Sequence, residues 1–154
     1  MIAISTDRLV LKKTNKSNKD KELLVSQIGD WNVAKWLSNV PHPYTEDDAE
    51  DWFKKIHQKK LSLNIYLDNS LIGGIGLTLD KDEFYEFGYW LGRDYWGQGY
   101  ATEAGKGVFH YAAQKLDSPK IKASYMKGNI ASENVLRKLG FNKVGEGKTY
   151  CVSR

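Results

Sequence analysis

Cysteine is almost missing from this chain, and its one thiol, Cys151, can neither close an internal disulfide nor belong to a multi-cysteine zinc site. A disulfide scaffold and a zinc-ribbon architecture are therefore excluded. Histidine is scarce too, and its three copies, His42, His57 and His110, are too scattered to form a metal constellation, so no metal is expected. Long apolar runs are absent too. Nothing approaches the roughly 18 consecutive apolar residues of a membrane span, and Met1-Ile2-Ala3-Ile4 is far too short for a signal peptide. The expected location is cytoplasmic, with no membrane partner. Nor does one sign of charge dominate. Lys and Arg number 23 against 19 Asp and Glu, and the resulting +4 suits an anionic small molecule as well as a nucleic acid.

What is present is an ordinary globular mixture, 41% hydrophobic and 27% charged over 154 residues. That suits one domain spanning 1–154, and no linker or internal repeat divides it. Residues 8–12 alternate Leu9 and Leu11 with charged neighbours, as a half-buried strand does, and 14–19 reads as a loop. From Asp20, Leu23, Leu24 and Ile28 recur at helical spacing and Gly29 stops the helix; Asp30 then caps a second helix carrying Val33, Trp36 and Leu37. After Pro41-His42-Pro43, Thr45 and Asp48 stand at the spacing of reciprocal capping, with Ala49, Trp52, Phe53 and Ile56 as the apolar stripe of a third helix. Residues 61–67, 71–79 and 84–91 read as three strands of an antiparallel meander, turning at Asp68-Asn69-Ser70 and again at 80–82. Helix is expected over 99–114 and 131–139, and strand over 121–126 and again from Asn142. The order β, α, α, α, β, β, β, α, β, α, β predicts one mixed α/β sheet with a hairpin core and a parallel tail.

The most informative stretch is 88–104, which runs from strand through a glycine loop, Gly97-Gln98-Gly99, into a helix. Glycine lets a main chain approach a bulky anion, and the first turn of a helix offers unpaired amide donors with a partial positive charge of about half a unit. Two nucleotide motifs fail on spacing. A dinucleotide fingerprint needs a small residue where Thr102 stands and an opening βαβ unit, and a Walker loop is ruled out because Gly105-Lys106 is followed by Gly107 inside the helix.

With Thr6-Asp7-Arg8-Leu9-Val10-Leu11, the segments Val33-Ala34-Lys35-Trp36-Leu37, Pro43-Tyr44-Thr45 and Ala49-Glu50-Asp51-Trp52, the loop at 88–104, and Asn129-Ile130-Ala131-Ser132 with Leu136-Arg137-Lys138-Leu139-Gly140-Phe141, the chain resembles the GCN5-related N-acetyltransferases (GNAT), and among them the RimJ/RimL-like branch. These segments cover nearly the whole chain in the family's order. The resemblance implies an α+β fold: a single GNAT-like domain with a twisted, mostly antiparallel sheet, splayed between its fourth and fifth strands and flanked by helices. It implies acetyl-coenzyme A as co-substrate, its diphosphate held by the amides of Gly97, Gln98, Gly99, Tyr100, Ala101 and Thr102, and its pantetheine arm lying along Trp90 and Leu91 like an added strand. Asn129 and Ser132 match positions that approach that arm. Many relatives carry Arg or Gln where this chain has Trp96, so main-chain amides must hold the phosphates.

The reaction implied is direct attack of a neutral primary amine on the thioester in a ternary complex, the amine belonging to a small molecule or a protein N-terminus. A carboxylate or a water held by one must accept the amine's proton. Glu86 is the candidate base: on its strand Phe84, Glu86, Gly88 and Trp90 share one face, while Tyr85, Phe87, Tyr89 and Leu91 share the other. Glu83, nearer the turn, is a weaker candidate. Ser132 and Tyr125 compete as the hydroxyl that protonates the departing thiolate, and Trp36, Tyr44 and Tyr85, with Trp31, are expected to wall the amine pocket. Too few residues follow Phe141 for the two final strands usual in relatives, so the last is expected to be missing. That would leave an edge for a second copy to complete unless the sequence is truncated. Two alternatives stay open: a coenzyme-binding module without catalysis, and a basic RNA- or ribosome-associated protein, although a nucleic-acid partner is not expected.

Overall fold

The computed structural model describes residues 3–14, 17–37, 44–49, 61–80, 82–117 and 119–145. Six strands follow one another across a single sheet in chain order: β1 (Ala3–Ser5), β2 (Val10–Lys12), β3 (Leu61–Leu67), β4 (Ser70–Leu79), β5 (Phe84–Leu91) and β6 (Lys120–Ala123). Every neighbouring pair is antiparallel except β5 and β6, which run parallel. Helices α1 (Asn18–Ile28) and α2 (Trp31–Ala34) come between β2 and β3; α3 (Tyr100–Lys115) connects β5 to β6, and α4 (Ile130–Lys138) follows β6. This is the mixed, mostly antiparallel sheet with a parallel tail that the element order predicts.

Local chemistry explains most of these boundaries. Asp68 and Asn69 take φ of 49° and 67° between Leu67 and Ser70, the two-residue hairpin loop for which short polar side chains tolerate a left-handed backbone. Asp80 closes the next turn by accepting from the Asp82 and Phe84 amides at 2.9 and 3.0 Å. Reciprocal capping is present at Thr45: its amide donates to Asp48 Oδ2 at 2.9 Å and its hydroxyl accepts from the Asp48 amide at 3.3 Å. Asp30 caps α2 through the Asn32 amide, as expected. The remainder of that third helix, with Trp52, Phe53 and Ile56, lies outside the described residues.

Five expectations need correction. A short strand, β1, precedes the first expected one, because Ala3, Ile4 and Ser5 find partners in Lys12, Leu11 and Val10 that no local pattern reveals. Helix α1 begins at Asn18, inside the expected loop, because the Ser17 hydroxyl accepts from the Asp20 amide and starts the helix early. Trp36 and Leu37 follow α2 in a turn and are not part of it. The strand expected over 121–126 ends at Ala123, and 141–145 forms no strand; residues 146–154 lie outside the described residues.

The main core lies between the sheet and α3, where Leu63, Ile75, Leu77, Phe87 and Leu91 pack with Ala104, Val108 and Ala112. On the opposite face α1 supplies a smaller cluster, Leu24 and Ile28 with Ala49, against which Tyr44, Leu37 and Trp90 pack. Buried Asp20 ties the start of α1 to β3 by accepting from the Tyr66 hydroxyl at 2.6 Å.

Candidate active site

The sheet opens where the site is expected. β5 pairs with β4 through Leu91, but its pairing with β6 stops at Phe87 and Ala123, so the main chain of 88–91 has no ladder partner on that side. An exposed strand edge of this kind can hydrogen-bond an extended, amide-bearing ligand. Directly after it, the chain passes through a 3₁₀ turn (Arg93–Tyr95) and the exposed residues 96–99 into α3.

Across 97–102, the N–H groups donate to no acceptor among the described residues; the next amide, Glu103, bonds the Gly99 carbonyl at 3.0 Å and begins the helical ladder. Gly97 and Gly99 have φ of 74° and 82°, a region costly to residues with a side chain, and a Cβ at Gly97 would meet nothing within 4 Å. The loop's carbonyls, in contrast, are tied inward by side chains. Trp96 Nε1 donates to Leu91 O at 2.9 Å, Gln98 Nε2 to Asp94 O at 3.1 Å, and Arg8 Nη1 to Gln98 O at 2.9 Å. What remains is a row of unpaired donors at the positive end of a sixteen-residue helix.

A family model described as an acetyltransferase (GNAT) domain matches residues 8–142. The chain belongs to the GNAT acetyltransferase family. Among curated proteins, the uncharacterized N-acetyltransferase p20 of Bacillus licheniformis is 29% identical, over 97% of this chain and 88% of its own. A GNAT-family acetyltransferase from Bacillus anthracis superposes with a TM-score of 0.81 at 26% identity, covering 94% of this chain and 86% of that one. RimL, a ribosomal L7/L12 alpha-N-protein acetyltransferase solved with coenzyme A, shares the fold with a TM-score of 0.78 at 19% identity over 94% and 86% of the two chains. GNAT enzymes use acetyl-coenzyme A, and the row of unpaired amides suits its diphosphate.

Within this GNAT frame the expected residues divide between the two faces of β5. Glu86, Gly88 and Trp90 share the α1 face; Tyr85, Phe87, Tyr89 and Leu91 face α3, so Tyr85 is not brought to the face of Glu86. Glu86 is exposed and stands opposite Thr78 on β4 and Lys122 on β6. Lys122 pairs with Asp80, and their hydrogen bond lowers the Asp80 pKa and raises that of Lys122; Glu86 adds a lesser charge attraction to Lys122 but makes no ion pair among the described residues. The Trp90 indole lies over Gly74, where any Cβ would collide with it. Tyr44 joins Trp90 on the small α1 cluster, and Trp36 reaches the loop before α4, with Cη2 3.8 Å from where a Gly128 Cβ would stand.

On the other side of the splay, Asn129 caps α4, its Oδ1 accepting from the Ser132 amide at 3.2 Å. The Ser132 side chain lies beside the Tyr89 hydroxyl, and the Tyr89 pKa is raised by burial against the opposing influence of that neighbour. Tyr125 packs on the main core. Sequence reasoning overlooked Tyr89, which sits on the unpaired stretch of β5 and reaches the helix that carries Ser132. It also gave no role to Arg8 or to Glu103, which meet across 95 positions of sequence. No short-range pattern signals that pairing. Among the described residues no cluster of His, Cys, Asp and Glu suits a metal ion, and no helix is long and apolar enough to cross a membrane.

Proposed function

We propose that this GNAT protein, acting as one domain over 1–154, transfers an acetyl group from acetyl-coenzyme A to a primary amine by direct attack in a ternary complex. Acetyl-coenzyme A supplies the acetyl group as a thioester already activated toward an amine. The observation that carries the reading is the run of unpaired amides over 97–102 beside the open edge of 88–91. The first binds the diphosphate and the second the pantetheine arm, along Trp90 and Leu91, with Asn129 and Ser132 across the gap.

Glu86 accepts the proton that the ammonium must lose; it is exposed, and the hydrogen bond of the neighbouring Lys122 goes to Asp80. The Ser132 hydroxyl, beside Tyr89, is the proton donor for the leaving thiolate. Trp90, Trp36 and Tyr44 wall the amine. Aromatic faces suit a cation before it is deprotonated. Because the fold is that of RimL, whose substrate is a protein α-amine, a protein N-terminus stands beside a small-molecule amine as the acceptor. The protein works in the cytoplasm.

Two measurements test this. Acetyl-coenzyme A at a hundred times its Kd should stabilise the fold by about 2.7 kcal/mol, and free thiol should be released from it in the presence of amines or short peptides. No thermal shift at millimolar coenzyme would end the proposal; a shift without thiol release across a broad amine panel would reduce the chain to a binding module.

A further inference from the structure

Arg8 lies in the turn between β1 and β2, yet its side chain is spent on the diphosphate loop. Its Nε donates to Glu103 Oε1 at 2.7 Å and its Nη1 to the Gln98 carbonyl at 2.9 Å; its guanidinium carbon lies 4.4 Å from the centroid of the Tyr100 ring. Nη2, which makes no hydrogen bond among the described residues, stands 3.3 Å from where a Cβ on Gly99 would be. Glu103, in the first turn of α3, accepts also from the Arg8 amide at 2.8 Å and from the Thr6 hydroxyl.

Two consequences follow from elementary geometry and charge. A peptide unit is planar and trans, so its C=O and N–H point in opposite directions. Holding the Gln98 carbonyl therefore fixes the direction of the Gly99 N–H, and turns it away from Arg8's own bond. Charge is the second point. Residues 94–102 contain Asp94 and no Lys or Arg, and Glu103 adds a carboxylate one turn into the helix, within a Debye length of any anion bound at its start. Without Arg8, that carboxylate would oppose the phosphates that the helix end attracts.

We propose that Arg8 is the positioning residue of the diphosphate loop: it aims the Gly99 amide outward and neutralises Glu103, so that this loop binds phosphate although Trp96 offers it no cation. The inference rests on the acetyltransferase reading above and goes beyond it in assigning the loop's affinity to a residue on a different strand turn.

The test separates the diphosphate from the rest of the coenzyme. Wild type, Arg8→Met and Arg8→Lys are titrated with coenzyme A and with pantetheine, which lacks the diphosphate, following tryptophan fluorescence, and each apo protein is melted by circular dichroism. Arg8→Met should raise the Kd for coenzyme A about tenfold or more, the scale of lost charge-assisted hydrogen bonds, and leave pantetheine binding unmoved. Arg8→Lys keeps the charge but cannot hold Glu103 and Gln98 together, so it should stay at least about threefold weaker than wild type; it carries the test if the Met variant does not fold. Equal losses for both ligands would mean a merely structural role and overturn the proposal, as would wild-type affinity in either variant. A wild-type chain that binds neither ligand overturns the acetyltransferase reading itself, an outcome distinct from variant and wild type binding alike.

Discussion

On the α3 side of the sheet the buried side chains of four strands meet a helix packed closely enough that Ala104, Val108 and Ala112 are fully covered, whereas on the α1 side the buried apolar cluster among the described residues is only Leu24, Ile28 and Ala49. The glycine loop before α3 belongs to the first side and is tied down by Arg8, Trp96 and Gln98. Across the sheet, Glu86 and Gly88 face solvent along β5. A rigid side for the shared donor and an open side for the acceptor is the division expected of a family that keeps one co-substrate and varies the other. If it is right, substitutions on the two faces should change different constants.

The largest expected effect is on the open side. Glu86→Gln should lower kcat by about 10² to 10⁴, the usual contribution of a positioned base, while leaving the Kd for coenzyme A unchanged. An unaltered kcat would remove the base from this face and break the comparison at its centre. Next comes Gly88, which has no positive φ and whose Cβ would meet nothing within 4 Å. A glycine inside a strand costs about 0.5–1 kcal/mol, and one that no protein neighbour requires marks a place where something else approaches. Gly88→Ala should therefore leave the melting temperature level or raise it, leave coenzyme binding alone, and raise the acceptor's KM about tenfold, the scale on which one methylene is sensed in a pocket. A steady KM would mean that the acceptor does not cross Gly88. Tyr89→Phe should act more weakly, lowering kcat about fivefold by removing the phenol hydroxyl beside Ser132, with the coenzyme Kd steady.

The same asymmetry explains what the sequence reveals. Where chemistry is local it is legible: Asp68-Asn69 in its hairpin, the Thr45 and Asp48 cap, the alternation along β5 and the glycine loop before α3 are each announced by residues a few positions apart. The splay after Phe87 is legible only through family resemblance, since nothing in 120–126 says that pairing ends at Ala123. Least legible are contacts between distant segments. Arg8 reads as one charged residue of an alternating strand, and Glu103 carries no signal at all, until the fold brings them within 2.7 Å. Tyr85 and Tyr89 look alike as aromatics on one strand face, but only Tyr89 lies beyond the last β6 pair and meets Ser132.

The smallest effect sharpens the rigid side. Burial alone would raise the Glu103 pKa, but hydrogen bonds from the Thr6 hydroxyl and from the Arg8 amide and guanidinium outweigh it, and the folded-state pKa is lowered. For a carboxylate of this kind the stabilisation is fully present above its unfolded value and disappears as pH falls through the folded one. Stability of the apo protein should therefore drop on acidification through and below the ordinary carboxylate range, and Glu103→Gln should flatten that part of the curve while costing under about 2 kcal/mol at neutral pH, because Arg8 is half exposed. Urea melts from pH 7 down to pH 3 would check it. A variant with the wild-type slope would show that Glu103 does not couple the turn before β2 to the coenzyme loop, and the rigidity of that side would then have to come from the core beneath α3 alone.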